Sequence, residues 1–399
     1  MKKLLYLLLI PVLALACTGE TGGEVEPENV SLIVHTRQIT VYGDAVPSEI
    51  LFTCNGSWTV SSENDWITFQ VTSGKGSEQQ QAVSFIPTDN TAGTERVGLI
   101  EIMAKGCYET IMVTQVPASS NSISSFLTKV RSEDFSRVYI CAHRANTWSG
   151  IYEHYIPENS IPAIEKCIEL GVEMVEIDVR KTKDGVLVCC HDASIKSVTN
   201  GTGNVADLTY EKILSYDMKS REKGIVTPGI KMPTLEQALL ACKDRIWVNL
   251  DLAKTTISPS EVVAVIKKTG MLDQVTCYTG SDTDLASTYY KCSDRLSVHL
   301  SISSSGGVGS VAGTKTIPLF QISTAKYWDG ATASASLSES IRKQNRCSFS
   351  NLLNYDSQVM NGKLDALRAF HAARIDFLQT DIAGHPNLEN YLKAEGLRD

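Results

Sequence analysis

The chain has 399 residues, of which 21% are charged and 43% hydrophobic, and its formal net charge at pH 7 is −8. No basic block interrupts this acidic balance, so we expect no nucleic-acid partner. Without the first 29 residues, roughly 370 remain, which is too many for one small core and suits two domains.

The N-terminus has the features of an export signal. Residues 1–16 contain two lysines and an apolar segment too short to span a bilayer, and they end on Ala-Leu-Ala directly before Cys17. This junction resembles a bacterial lipoprotein cleavage site, which implies lipidation of Cys17 and anchoring in the outer membrane, on its periplasmic or cell-surface face. An ordinary cleaved signal peptide with a structural Cys17 is the alternative. Residues 17–29 are acidic and Gly-rich, so we expect a flexible tether.

The other cysteines of this chain show no metal-binding spacing such as CxxC. Ten of them follow Cys17, several within apolar runs. We therefore expect most of them to be buried free thiols.

Residues 30–117 alternate apolar and polar positions in short runs separated by turn signals. This pattern predicts an all-β, immunoglobulin-like sandwich. The segment resembles the BACON domain family in Asn55-Gly56-Ser57-Trp58, Trp66, Ser73-Gly74-Lys75-Gly76, Asn90, Arg96-Val97-Gly98 and Val113-Thr114-Gln115. The resemblance implies a glycan contact, with Trp58 or Trp66 stacking on a sugar; the alternative, which the alternation favours, places both tryptophans in the core.

A Ser-rich stretch opens the segment 118–134, which we interpret as a linker. Over residues 135–399, strand-like apolar runs alternate with helical stretches, and this length suits a (β/α)₈ TIM barrel of the α/β class. Nine strand candidates are present, starting near residues 138, 172, 186, 246, 275, 296, 317, 347 and 377. One of them must lie outside the barrel.

The run EMVEIDVRKTKDGVLVCCHD contains the strand that lies outside the barrel. It leaves no room for a crossover helix, and Asp184-Gly185 is a two-residue hairpin signal. We therefore predict a β-hairpin arm over residues 178–191, with Lys183 opposite Val186 and Asp178 opposite His191.

Three acidic residues are predicted to face the barrel interior at its carboxyl rim. Glu176 and Asp178 are two positions apart on one strand, and Asp251 shares a face with Asn249 on another. Neighbouring carboxylates repel one another, and a divalent cation relieves that repulsion; oxygen ligands favour Mg²⁺ or Ca²⁺. A single such carboxylate is more often a surface ion-pair partner, but here the three occur with His143 and His191 at strand ends.

The pair His143-Arg144 directly follows the first barrel strand and should reach the same rim. Two histidines beside a cation suit general acid and base catalysis, and an arginine fork suits two oxygens of a phosphate.

This region resembles the glycerophosphodiester phosphodiesterase family. The matching motifs are His143-Arg144, Pro157-Glu158-Asn159-Ser160, Glu176-Ile177-Asp178, Thr182-Lys183-Asp184-Gly185, His191-Asp192, Thr199-Asn200-Gly201-Thr202-Gly203 and Gln379-Thr380-Asp381. The resemblance implies that His143 and His191 form the acid/base pair and that Glu176, Asp178 and Asp251 hold Ca²⁺ or Mg²⁺. It also implies that Arg144 binds phosphate and that Glu158 supports the site from behind.

Two positions depart from the family pattern. Ala145 stands where the family has glycine, so a turn that needs positive φ would be strained there. The Glu-x-Lys strand of the family is Asp251-Leu252-Ala253 here, and the adjacent Lys254 would contact phosphate only if a local bulge turned it inward.

The resemblance implies metal-dependent hydrolysis of a small glycerophosphodiester to glycerol 3-phosphate and an alcohol. Two alternatives remain open. One is a phospholipase C/D-like phosphodiesterase on intact lipid, which would need an exposed apolar rim that the sequence of the rim loops does not show. The other is a surface glycan-binding protein with a degenerate barrel, which the altered Glu-x-Lys strand weakly favours and the retained histidines and acidic positions oppose.

Overall fold

The computed structural model describes residues 29–42, 47–117, 123–133, 135–148, 156–253, 255–293, 295–304, 307–308, 319–322 and 331–398. The predicted signal peptide, Cys17, most of the tether and Lys254 lie outside these residues. Within them, every helix is too short or too polar to cross a membrane. Their ten cysteines form no disulfide and eight of them are buried, in agreement with the expected free thiols.

The N-terminal part is a β-sandwich, as predicted. Its strands are β1 (Leu32–Val34), β2 (Gln38–Tyr42), β3 (Ser48–Cys54), β4 (Trp58–Ser61), β5 (Ile67–Phe69), β6 (Ser73–Gly74), β7 (Ser77–Pro87), β8 (Arg96–Ala104) and β9 (Cys107–Val116). They form two sheets with the orders β1-β3-β7-β5 and β2-β9-β8-β4-β6. Alternate residues of both sheets, such as Phe52, Phe85 and Ile100, meet in one core.

Both candidate sugar-stacking tryptophans belong to this core. Trp58 is 6% exposed, packs edge-on against Phe52, and donates its Nε1–H to Gln81. Trp66 is 7% exposed and lies 4.4 Å beneath the Arg96 guanidinium. Of the two alternatives, the core position is therefore correct, and neither ring presents a face to a glycan.

A packed helix occupies residues 123–132 of the predicted linker at 118–134, so the linker interpretation is wrong for those residues. Helix α1 (Ile123–Ser132) buries Leu127 completely and stacks Phe126 on Trp247, with 4.7 Å between ring centroids. Phe126 also packs edge-on against Phe377. Both partners are the first residues of barrel strands, so α1 closes the amino-terminal end of the barrel. Burial of the apolar face of α1 outweighs the low helix propensity of its serines.

The C-terminal part is a closed parallel barrel, as predicted. Its strands are β10 (Tyr139–Ala142), β11 (Met174–Lys181), β13 (Trp247–Asp251), β14 (Val275–Tyr278), β15 (Ser297–Ile302), β16 (Leu319–Ile322), β17 (Cys347–Asn351) and β18 (Phe377–Thr380), while β12 (Leu187–Cys189) is the antiparallel hairpin strand. Pairing of β10 with both β11 and β18 closes the ring of eight parallel strands.

Helices surround this ring. They are α2 (Ile161–Glu169), α3 (Tyr210–Leu214), α4 (Leu235–Cys242), α5 (Pro259–Lys268), α6 (Thr283–Cys292), α7 (Ala331–Lys343), α8 (Asp356–Met360), α9 (Asp365–Ala372) and α10 (Pro386–Ala394). Capping boxes start α4 at Thr234 and α5 at Ser258. Val175 and Ile177 of β11 belong to the core between ring and helices. The alternate residues Glu176 and Asp178 therefore face the interior, as the pattern predicted.

The hairpin arm is present, but its register differs by one residue from the prediction. Val179 pairs with Cys189 and Lys181 with Leu187, and the amide of Cys190 donates to the Asp178 carbonyl. The loop therefore has three residues, Lys183 to Gly185, instead of two. Gly185 has φ +85°, and the Thr182 hydroxyl accepts from the Val186 amide at 2.9 Å, which stabilises the longer loop.

Candidate active site

The turn after β10 brings His143 and Arg144 to the carboxyl rim. Residues His143–Ala145 form one 3₁₀ turn in which Arg144 has φ +54° and Ala145 has φ +56°. Ala145 stands at the position where the family has glycine, and this backbone is the left-handed one that glycine adopts without strain. The departure at Ala145 therefore leaves the geometry of the turn intact at a cost in backbone strain.

Three carboxylates converge beside this turn. One oxygen each of Glu176, Asp178 and Asp251 lies within 4.8 Å of the others. Glu176 and Asp178 are 3% and 6% exposed, and Oε1 of Glu176 has no hydrogen-bond partner among the described residues. An all-oxygen donor set with a buried oxygen left unpaired fits a hard divalent cation such as Mg²⁺ or Ca²⁺.

The electrostatics of the cluster lead to the same conclusion. Burial and the nearby charges of Asp178 and Asp251 raise the pKa of Glu176 well above its usual range. Without a counter-charge, burial and the two neighbouring carboxylates therefore disfavour ionisation of Glu176. A divalent cation would neutralise this repulsion.

Arg144 is held against the carboxylates by its backbone and its side chain. Its amide donates to Oε2 of Glu176 at 2.8 Å. Its guanidinium lies 3.6 Å from Oδ2 of Asp178 and donates to Glu158 at 3.3 Å. Arg144 thus supplies positive charge at the edge of the cluster, where a phosphate oxygen would meet both the arginine and a cation.

Each histidine has an aspartate on its Nδ1. The His143 Nδ1 lies 2.8 Å from Asp381, and its Nε2 lies 4.0 Å from Glu176. The His191 Nδ1 lies 2.7 Å from Asp192. When each aspartate accepts from Nδ1–H, each ring carries its lone pair on Nε2, which becomes the nitrogen available for proton transfer.

Both aspartates are held in place by further donors. Burial opposes ionisation of Asp381, but hydrogen bonds from His143 and Asn146 lower its pKa below the usual value. Burial also opposes ionisation of Asp192, but hydrogen bonds from Ser197 and Arg221, together with His191, lower the pKa of that carboxyl. The two carboxylates therefore remain charged partners of the histidines at neutral pH.

The Pro-Glu-Asn-Ser segment supports the cluster from the side. Asn159 donates to Oδ2 of Asp178 at 2.9 Å and accepts from the Asp178 amide at 3.2 Å. Ser160 caps α2 by accepting from the Ala163 amide. Asn159 fixes the position of Asp178 through these two hydrogen bonds.

Glu158 joins two arginines behind the site. It is 4% exposed and accepts from Arg221 at 2.8–3.0 Å through both carboxylate oxygens. Its Oε1 also accepts from Arg144 at 3.3 Å. The second arginine was not anticipated from the sequence, because it lies 63 positions from Glu158 in a loop without a recognisable motif.

Two cavities meet at His143 and Arg144. The first, of about 630 Å³, is also lined by Glu176, His191 and Asp251 and by neutral polar groups such as Asn249, Ser301, Gln321, Asn351 and Gln379. The second, of about 460 Å³, has an apolar wall of Trp148, Ile156, Met360 and Ile382.

The structure thus brings together five of the residues singled out from the sequence around one cavity: His143, Arg144, Glu176, His191 and Asp251. Asp178 borders a small adjoining pocket with His191 and Asp251. Ala253, at the altered Glu-x-Lys position, lines the first cavity without contributing charge. Asp381 and Asp192 had no assigned role from the sequence, although both belong to motifs that it displayed.

Comparison with known proteins places both regions in families. Residues 150–340 match the "Glycerophosphoryl diester phosphodiesterase family" and residues 56–116 match BACON, described as "Putative binding domain, N-terminal". A glycerophosphodiester phosphodiesterase of Caldanaerobacter subterraneus subsp. tengcongensis is 37% identical over 120 residues, which are 29% of this chain and 45% of that protein. Glycerophosphodiester phosphodiesterase 1 of Homo sapiens is 34% identical over 107 residues, 27% of this chain and 30% of that protein. The chain therefore spans less than half the length of either relative.

A solved structure has the same fold. The glycerophosphoryl diester phosphodiesterase from Parabacteroides distasonis ATCC 8503 aligns with a TM-score of 0.59 at 20% identity and covers 69% of this chain and 94% of its own. At this identity the likeness concerns the barrel fold alone. The chain carries a domain of the glycerophosphoryl diester phosphodiesterase family at residues 150–340, preceded by a BACON domain at residues 56–116.

Proposed function

We propose that this protein hydrolyses glycerophosphodiesters to glycerol 3-phosphate and a free alcohol, in a reaction that depends on Ca²⁺ or Mg²⁺. The observation that carries the proposal is the convergence of three carboxylates, two aspartate-bound histidines and Arg144 on one cavity at the carboxyl rim of the barrel. The names of the curated relatives support the same reaction class.

The proposed metal ligands are Glu176, Asp178 and Asp251. A bound divalent cation would draw electron density from the phosphoryl oxygens and offset their charge. Arg144, held by Glu158, would bind the phosphate beside these ligands and neutralise charge that develops on it. Lys254, three positions beyond Asp251, is a further candidate phosphate contact.

The proposed acid/base pair is His143 and His191. One histidine removes the proton of the attacking water at Nε2, and the other protonates the oxygen of the departing alcohol from Nε2. Asp381 and Asp192 would stabilise whichever ring carries the positive charge. Each ring is thereby kept in the tautomer that the reaction needs.

The test is release of glycerol 3-phosphate from a mixture of glycerophosphodiesters by the purified protein. It is run with Ca²⁺, with Mg²⁺ and with a chelator, beside His143→Ala and His191→Ala. We expect activity that disappears on chelation and falls about 10²- to 10⁴-fold in each variant. Full activity in the chelator, or in both histidine variants, would refute the proposal.

A second candidate is a phospholipase-like action on a lipid that retains an acyl chain. It is favoured by the apolar wall of Trp148, Ile156, Met360 and Ile382 in the cavity beside His143. Under this proposal, a lysophospholipid competes with glycerophosphodiesters and is itself cleaved. If the protein hydrolyses glycerophosphodiesters but the lysophospholipid neither competes nor is cleaved, the substrates are the water-soluble diesters.

We also propose that the protein is exported and held in the outer membrane by a lipid on Cys17, which the sequence of residues 1–17 supports. A glycan contact of the BACON domain would use Tyr108, since this side chain is 74% exposed while both tryptophans are buried. Labelling with a fatty-acid analogue, lost in Cys17→Ser, tests the first proposal. Loss of polysaccharide binding in Tyr108→Ala tests the second.

A further inference from the structure

Arg221 lies between the two halves of the site. Its Nη1 donates to Oδ2 of Asp192 at 2.9 Å. Its Nε and Nη2 donate to Glu158 at 2.8–3.0 Å. Asp192 in turn contacts Nδ1 of His191, and Glu158 contacts the Arg144 guanidinium. One guanidinium thus connects the proposed phosphate ligand with one of the proposed proton-transfer groups.

The charges explain why the connection needs an arginine. Glu158 is almost completely buried, and Arg144 alone offers it a single contact at 3.3 Å. Asp192 keeps Ser197 and His191 as other partners, but neither of them reaches Glu158. Only a planar fork with several donors satisfies two carboxylates in different directions at once, and lysine has no such fork.

The surrounding backbone holds Arg221 in this position. The Met218 amide donates to the Ile230 carbonyl, the Met218 carbonyl accepts from the Thr227 amide, and the Lys219 amide donates to the Val198 carbonyl. On the other side of His191, Arg180 donates from Nε to the His191 carbonyl at 2.8 Å. The His191 backbone and ring are therefore fixed by two different arginines, and only Arg221 also reaches the phosphate side.

We infer that Arg221 is a positioning residue, which acts through Asp192 on His191 and through Glu158 on Arg144. The inference rests on the proposed phosphodiesterase function and adds to it a residue that lines the second cavity and not the first. A residue in this place changes the rate of the chemical step more than the binding of substrate.

The experiment compares Arg221→Ala with Arg245→Ala. Arg245 is a matched control, because it also makes a two-pronged contact with one glutamate, Glu165, on the outer side of the barrel. For Arg221→Ala we expect kcat to fall about 10- to 100-fold while KM stays within about threefold. Guanidinium ion, added to refill the space, should restore part of kcat in Arg221→Ala and leave Arg245→Ala unchanged.

The coupling has a further test in the variant Asp192→Asn. If Arg221 acts through Asp192, the double variant should lose less activity than the product of the two single losses. If Arg221→Ala does not fold, Arg221→Lys carries the test, since it keeps the charge without the fork and should show a reduced kcat.

The possible results separate the inference from the proposed function. Wild-type protein without turnover refutes the phosphodiesterase and, with it, the inference. Active wild type with an unchanged kcat in Arg221→Ala or Arg221→Lys, or with a loss confined to KM, overturns the inference alone. A loss of kcat that guanidinium does not restore and that comes with a large fall in Tm assigns Arg221 a purely structural role, which also overturns it.

Discussion

Replacement of Glu176 by glutamine tests the electrostatics of the carboxylate cluster. The three carboxylate oxygens lie within 4.8 Å of one another, and two unit charges at that distance repel by about 3.5 kcal/mol at an effective dielectric constant of about 20. Loss of the Glu176 charge removes two of the three repulsions. In a chelator, we therefore expect Glu176→Gln to be more stable than the wild type.

Protonation limits how large this gain becomes. A carboxyl with the ordinary pKa of 4.5 can be protonated at pH 7 at a cost of about 3.4 kcal/mol, which is therefore the upper limit of the electrostatic cost of burying Glu176. Glutamine also weakens the bond from the Arg144 amide, at a cost of about 1 kcal/mol. The expected net gain is about 2 kcal/mol, which corresponds to a Tm increase of roughly 4–8 °C.

A divalent cation should reverse the order of stability. At a concentration of 100 Kd it stabilises the wild type by about 2.7 kcal/mol, and Glu176→Gln, which has lost one ligand charge, should respond much less. Scanning calorimetry in a chelator and in Ca²⁺ or Mg²⁺ measures both effects on the cation-sensitive transition.

The matched control is Glu165→Gln, which removes an exposed carboxylate paired with Arg245 outside the barrel. It should change stability by less than about 1 kcal/mol and leave the cation response intact. A Glu176→Gln protein that is less stable than the wild type in the chelator, or that gains as much from the cation, would refute the electrostatic reasoning.

Three further substitutions test neighbouring contacts. Asp381→Asn should lower kcat about 10- to 100-fold with little change in KM, because Asp381 orients the His143 ring; an unchanged steady-state kcat would refute this positioning role of Asp381. Asn159→Ala should weaken cation binding about 10- to 100-fold in titration calorimetry, since the side-chain nitrogen and oxygen of Asn159 both bind Asp178, and an unaltered Kd would contradict that. Burial raises the pKa of Asp356 to about 7, so the folded protein binds a proton there that the unfolded chain has released. The stability that Asp356 contributes is thus lost as pH rises from about 4 to 7. The unfolding free energy of the wild type should therefore fall relative to that of Asp356→Asn over this range, and a constant difference between the two proteins would contradict the raised pKa.

The local patterns of the sequence predicted most of what one strand or one hairpin decides. The alternation of polar and apolar residues placed Glu176 and Asp178 on one face of β11 and their apolar neighbours on the other, because successive side chains of a strand point in opposite directions. The segment between β11 and β12 is too short for a crossover helix, and this identified β12 as a hairpin strand. The register of that hairpin was wrong by one residue, since hydrogen bonds of the Thr182 hydroxyl and the conformation of Gly185 select the longer loop.

Features that depend on distant segments were decided by the tertiary structure. Asp381 meets His143 only because β18 closes the barrel against β10, and Arg221 reaches Glu158 and Asp192 from a loop that carries no pattern of its own. The serines of α1 predicted a linker, but the apolar bottom of the barrel gives that segment a surface on which a helix is stable. Sequence alone determined the candidate residues for the chemistry, because residue type and spacing are local. Their partners and positions required the closed barrel, because contacts across it follow from packing and not from proximity in the chain.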